Sequence, residues 1–147
     1  MSGFAASLRR QIERVHLEID YKINRVFFLA GNYAVKKSPR VGDGPYVSGH
    51  FVNNWFPAAN GYATTVDNST SPDGADSLSR IASIVKLKTF YRRDGMLSLS
   101  NNVSYGFRIE VAGWPKGYDP ATGWNWTGKR IIYAPVARTA LYMKTIT

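Results

Sequence analysis

The chain has no cysteine and only two histidines among its 147 residues. Disulfides, thiol chemistry and zinc sites built on thiolates are therefore excluded. His16 and His50 stand in no HxH or HExxH spacing, so a metal would need carboxylates brought in by the fold. Acids are scarce too: ten Asp and Glu stand against 19 Lys and Arg, and no two acids form the close pair that acid–base catalysis uses. Ser48 lies in no G-x-S-x-G elbow, and there is neither a Walker loop nor a dinucleotide glycine pattern. Long apolar runs are missing. Arg9, Arg10, Glu13, Arg14, Glu18 and Asp20 interrupt anything resembling a secretory signal, and nothing approaches a membrane span. Without such a signal, the N-x-(S/T) sequons at Asn68, Asn102 and Asn125 read as chance. No catalytic, metal or cofactor residue is expected, and the chain does not read as an enzyme.

Aromatics, by contrast, are plentiful at 14%: 9 Tyr, 7 Phe and 4 Trp. This share suits a β-rich core and a protein–protein interface about equally. The length fits a single domain over residues 1–147 with a real core. The formal charge of +9 is unevenly placed. Residues 1–85 carry nine Lys and Arg against seven acids, whereas residues 86–147 carry ten against three. A basic half suits nucleic acid, an acidic partner ring or a merely solvated face.

Residues 1–36 predict one long amphipathic helix. Phe4, Leu8, Ile12, Val15, Ile19, Ile23, Val26 and Ala30 recur at spacings of three and four and fall on one stripe. Ser2 is the expected N-cap and Gly31-Asn32 the expected weakening or end. Glu18 and Lys22 form an i,i+4 pair of favourable orientation. Leu17, Tyr21 and Phe28 cluster on the opposite side; either the domain's own sheet or a loop covers them, or they form a second contact surface.

Two prolines and two glycines make residues 36–46 a loop. A strand is then expected from Val47 to Ala58, with Val47, Phe51, Asn53 and Trp55 on one side. Gly49 would mark a bulge or a close backbone approach. Tyr62 to Val66 would form another short strand. Asn68 to Gly74 is turn chemistry, after which Asp76 or Ser77 would cap a second helix reaching about Tyr91. Val85 to Leu87 would alternatively start a strand. Arg92-Arg93-Asp94-Gly95 reads as a turn, and Met96, Leu97 and Leu99 open the next strand. Residues 113–128 form a loop carrying Trp114, Trp124 and Trp126, which is either a docking surface or a cover over the domain's own core. Val136 to Lys144, after Ala134-Pro135, reads as a short helix.

Two segments carry a resemblance. Ser48-Gly49-His50-Phe51-Val52-Asn53-Asn54-Trp55 is similar to a "tG-x-F-x-x-N-W" segment. Asn101-Asn102-Val103-Ser104-Tyr105-Gly106-Phe107-Arg108-Ile109-Glu110 is similar to an "N-N-x-x-Y-A-x-x-(L/I)-E-x-G" segment that follows some tens of residues later. In this order they resemble the HK97 gp10-like and minor-tail-protein-Z-like family of neck and tail-completion proteins of tailed bacteriophages. Trp114-Pro115 departs from the more polar family pattern after the glutamate. The resemblance implies a structural virion protein, assembled in the host bacterial cytoplasm. Such subunits form a homo-oligomeric ring, commonly sixfold, at the neck or the head-proximal end of the tail. Connector, neck and tail-tube proteins would be its partners, with genome DNA passing nonspecifically through the lumen. The motif residues would be Gly49, Phe51, Asn54, Trp55, Asn102, Tyr105 and Glu110.

The expected fold is α+β and tail-terminator-like. A long N-terminal helix and a second helix would pack on an antiparallel sheet drawn from residues 47–66 and 96–112. Subunit or partner contacts fall to Leu17, Tyr21, Phe28, Trp114, Trp124 and Trp126. Glu110, beside Arg108 in an apolar stretch, would accept backbone amides or pair with an arginine, or else lie solvated on a strand's outer face. Asn53, Asn54, Asn101 and Asn102 are expected to bond backbone groups where the chain turns. The alternative function is a basic nucleic-acid-binding module. Lys86, Lys88, Arg92 and Arg93, interleaved with Phe90 and Tyr91, supply the phosphate-contacting and stacking groups such a module uses; the same four cations would equally suit an acidic partner.

Overall fold

A computed structural model describes residues 2–41, 48–85, 96–106 and 109. Within them the chain is α+β: helix α1 (Ser2–Lys37), a short helix α2 (His50–Asn53), strand β1 (Phe56–Ala59), helix α3 (Ala75–Val85) and strand β2 (Leu97–Ser100). β1 and β2 pair antiparallel, with Phe56 opposite Ser100 and Ala59 opposite Leu97. Both strands fall inside the two ranges expected to form the sheet.

No proline interrupts α1, and Gly31-Asn32 does not end it. The Asn32 amide donates to the Phe28 carbonyl at 2.9 Å, and the helix continues to Lys37 with Lys36 and Lys37 in its last turn. Those cations suit the negative end of the helix dipole. The stop comes at Ser38-Pro39. The Ser38 N–H and hydroxyl both donate to the Ala34 carbonyl, at 3.0 and 2.8 Å, and proline cannot extend the ladder. Glu18 and Lys22 do pair, at 3.1 Å.

The face that α1 turns to the core differs from its apolar stripe. Asp20, Gly31, Ala34 and Val35 are buried, and Phe27 packs against the core from the same side. This face lies about a third of a turn round the helix from the Phe4–Ala30 stripe. Small residues explain the choice. A Cβ placed on Gly31 would stand 3.0 Å from Ile81 Cδ1 and Cγ2, so the bare backbone at Gly31 lets α3 come close. Ala34, Val35, Phe51, Val52, Trp55, Ile81, Val103 and Ile109 form the core, with Leu78, Leu99 and Tyr105 packed around it.

The strand expected over Val47–Ala58 is replaced by a turn of helix and a shorter strand. Gly49 adopts φ +83°, a left-handed conformation open chiefly to glycine. Its carbonyl then accepts the Asn53 N–H at 3.2 Å, which starts α2 rather than a pleated run. The expected close backbone approach is real: a Cβ on Gly49 would collide with the Ser71 carbonyl. Residues 62–66 form no strand; side chains, described below, take the place of a partner strand.

Helix α3 begins at Ala75, not at a cap on Asp76 or Ser77. Gly74 supplies the first helical acceptor, to the Leu78 N–H at 3.0 Å. Asp73 Oδ1 accepts the Ala75 N–H at 3.0 Å. Ser77 is instead buried within the first turn, where its Oγ accepts the Trp55 N–H at 3.2 Å. The expected extension to Tyr91, the Arg92–Gly95 turn, the 113–128 loop and the Val136–Lys144 helix lie outside the described residues.

Candidate functional site

The two motif segments meet in one cluster around α2. His50 Nδ1 and the Tyr105 hydroxyl are 2.7 Å apart. The Phe51 ring lies edge-on to Trp55, with centroids 5.8 Å apart, and tilted to Tyr105 at 6.4 Å. Asn101 Nδ2 donates to the Phe51 carbonyl at 2.9 Å. Burial holds the Tyr105 phenol above its ordinary pKa, because the phenolate would lose solvation.

The asparagines tie backbone together. Asn53 and Asn54 are both 0% exposed. Asn54 Nδ2 donates to the His50 and Asp67 carbonyls, at 2.7 and 2.9 Å, while Asn54 Oδ1 accepts the Asp67 N–H at 2.7 Å. One amide thus imitates a strand partner for residue 67. Asn53 Nδ2 donates to Ser69 Oγ at 2.8 Å. Asn102 Nδ2 donates to the Ala63 carbonyl at 2.8 Å and to that of Thr65 at 3.3 Å. Backbone groups at residues 63, 65, 67 and 69 therefore bond side-chain amides where a partner strand would otherwise stand.

Arg80 on α3 closes this cluster and was not singled out by sequence. Its guanidinium donates to the Asn53 carbonyl and to Ser77 Oγ, stands 3.8 Å from Asp67 and lies 4.3 Å over the Phe56 ring. One residue thereby joins α2, α3, β1 and the loop. The available signal was Arg80 three residues after Ser77, which places both on one side of α3. Hydrogen bonds from Ser69 hold the Asp67 carboxyl below its ordinary pKa, with Arg80 adding to the effect. The Ala75 N–H does the same for Asp73. Trp55 is anchored by its indole N–H, which donates to Ser38 Oγ at 2.8 Å.

Chemically this cluster is a brace. No group of three His, Cys, Asp or Glu that could hold a metal occurs among the described residues. Nor is any helix among them long and apolar enough to cross a membrane.

The other feature is the uncovered length of α1. Phe4 is 79% exposed, and Leu8, Ile12, Val15 and Ile23 are exposed behind it. Leu17 is 67% exposed and Tyr21 62%, with Phe28 also exposed. Isolated exposed apolar side chains are ordinary, but here they stand in rows along two faces of one helix. No protein-family model, curated protein or solved structure matches the chain.

Gly49, Phe51, Asn54, Trp55 and Tyr105 are thus brought together around α2, Asn102 bonds the 63–65 backbone instead, and Leu17, Tyr21 and Phe28 lie apart from them on α1. Glu110, Trp114, Trp124, Trp126, Lys86, Lys88, Phe90, Tyr91, Arg92 and Arg93 lie outside the described residues.

Proposed function

We propose that this chain is a structural subunit of a tailed bacteriophage virion, forming a homo-oligomeric ring at the neck or the head-proximal end of the tail. The observation that carries an assembling role is the apolar surface of α1, exposed over a length that the subunit's own core does not cover. The phage setting rests on the two motif segments. Their convergence around α2 supports treating them as one unit, since Asn101 bonds Phe51 and Tyr105 meets His50.

A closed ring joins two different faces of each subunit. The Leu17/Tyr21/Phe28 face serves as one of them, and the tryptophan loop serves as the other. The basic excess faces the lumen DNA or an acidic neighbouring ring, and contact with passing DNA stays nonspecific. Light scattering after size exclusion, together with negative-stain images, tests the reading. Rings of defined order are expected, either alone or on addition of connector or tail-tube protein. A strict monomer at high protein concentration and with those partners added would sink it.

A further inference from the structure

The segment that follows β1 is hydrogen-bonded along one edge alone. Over residues 61–69 the bonded carbonyls all belong to odd-numbered residues. Ser98 Oγ donates to that of Gly61, Asn102 Nδ2 to those of Ala63 and Thr65, Asn54 Nδ2 to that of Asp67 and Asn53 Nδ2 to that of Ser69. At Asp67 the N–H turns the same way, to Asn54 Oδ1. A spacing of two is the period of a pleated strand, in which one residue's N–H and C=O share an edge and its neighbours' take the other. The N–H and C=O of Tyr62, Thr64 and Val66 therefore line the opposite edge. None of these groups bonds another described residue, and residues 62–66 belong to no strand. Tyr62 is 75% exposed and Val66 44%.

Proteins blunt an open edge with lysine, proline, a bulge or a cover. Residues 62–66 carry neither charge nor proline, so the edge is left able to accept a strand. We infer that it pairs antiparallel with the same edge of a second copy, Thr64 facing Thr64 across a two-fold axis. Side-chain chemistry selects this occupant and this register. With Thr64 on the axis, Tyr62 of each copy stands opposite Val66 of the other, all on one face. Aromatic with β-branched and Thr with Thr are both pairs that stabilise antiparallel sheets. A one-residue shift would set Tyr62 against Asn68 and lose both. Because the edge is uncharged, two chains of formal charge +9 meet there without like charges in contact. The nearest acid, Asp67, has its backbone held by Asn54 and its carboxylate beside Arg80.

The strand that the sequence leads one to expect over Tyr62–Val66 is thus completed by a second molecule. About six backbone hydrogen bonds over roughly 17 Å make a small contact, so the dimer forms at high protein concentration. The pairing is two-fold and closed. It goes beyond the ring proposed above and needs neither that ring nor the phage setting.

Thr64→Lys and Thr64→Glu chains are sedimented separately and as an equal mixture, beside the unmodified chain. The unmodified chain should dimerise with rising concentration. Each variant alone should bind itself at least tenfold more weakly, since like charges then face each other on the axis, and the mixture should recover the association. Thermal melts should not move, because Thr64 is exposed and its outward edge bonds nothing described within the subunit. In a chain without cysteine, Thr64→Cys should link to its own kind on oxidation, directly opposite residues lying within disulfide reach. Undiminished dimers in the charged variants would overturn the inference, as would weakened variants that fail to recover when mixed, or no disulfide from Thr64→Cys. Rings without that disulfide would keep the ring reading and remove this one; linked dimers without rings would do the reverse.

Discussion

Asn54 makes three hydrogen bonds through one amide with no exposed surface, so its replacement leaves buried backbone groups without partners. Asn54→Ala should lower stability by about 2–4 kcal/mol, because unsatisfied buried groups cost more than the bond itself contributes. A urea titration measures it, and an unchanged midpoint would show that water replaces the amide. Asp67 titrates at the other end of this network. Its folded pKa, like that of Asp73, is lowered. The unfolded chain therefore takes up these protons first as acid is added. The stabilisation is present above the ordinary carboxylate range and is lost as pH falls through the folded values. Urea midpoints should drop as the pH is taken below the ordinary carboxylate value. Asp67→Asn, which keeps an acceptor for Ser69 but removes the titration, should flatten that drop. Tyr105 works at the other extreme: its raised pKa means stability held below the ordinary phenol value and lost as pH rises through the folded one.

Elements rather than residues decide how α1 meets α3. Gly31→Leu should push the helices apart and cost about 1–3 kcal/mol, as overpacking a close contact does. Gly31→Ala should fall well short of that, since better helix propensity offsets the displacement of the flexible Ile81 tip. Thermal melts of the two variants separate these effects. The same contact shows what was legible in the sequence. The 3.6-residue period revealed a helix over residues 1–36, found as Ser2–Lys37, and a second one from about Asp76, found over Ala75–Val85, and the Leu97–Leu99 alternation revealed a strand. Which face of α1 docks was not legible by counting apolar residues, because the docking face is built on Gly31 and Ala34, where smallness matters more than hydrophobicity. Likewise, Gly49-His50-Phe51-Val52 reads as β-prone until the left-handed φ of Gly49 is known. The asparagine roles were legible as a type, but their partners were not. Residues 63, 65, 67 and 69 reach them only after the chain folds back, and Arg80 joins the cluster from 27 residues beyond Asn53.

Across the whole molecule, α1 is one helix by geometry and two by support. Its last three turns or so are held by the core through Phe27, Gly31, Ala34 and Val35, whereas among the described residues nothing buries the turns from Phe4 to Val15, which there rest on helix propensity. Amide hydrogen exchange should expose this division. In dilute monomer, amides of residues 6–18 should exchange within reach of local fraying, while those near Ala34 and Val35 should open only with global unfolding. Raising the concentration until copies associate should slow the first group and leave the second unchanged. A flat profile along α1 at low concentration would contradict the division. The first half of this helix would then acquire its protection from its neighbours, and the order of an assembled particle would be written partly in segments that a solitary subunit holds only loosely.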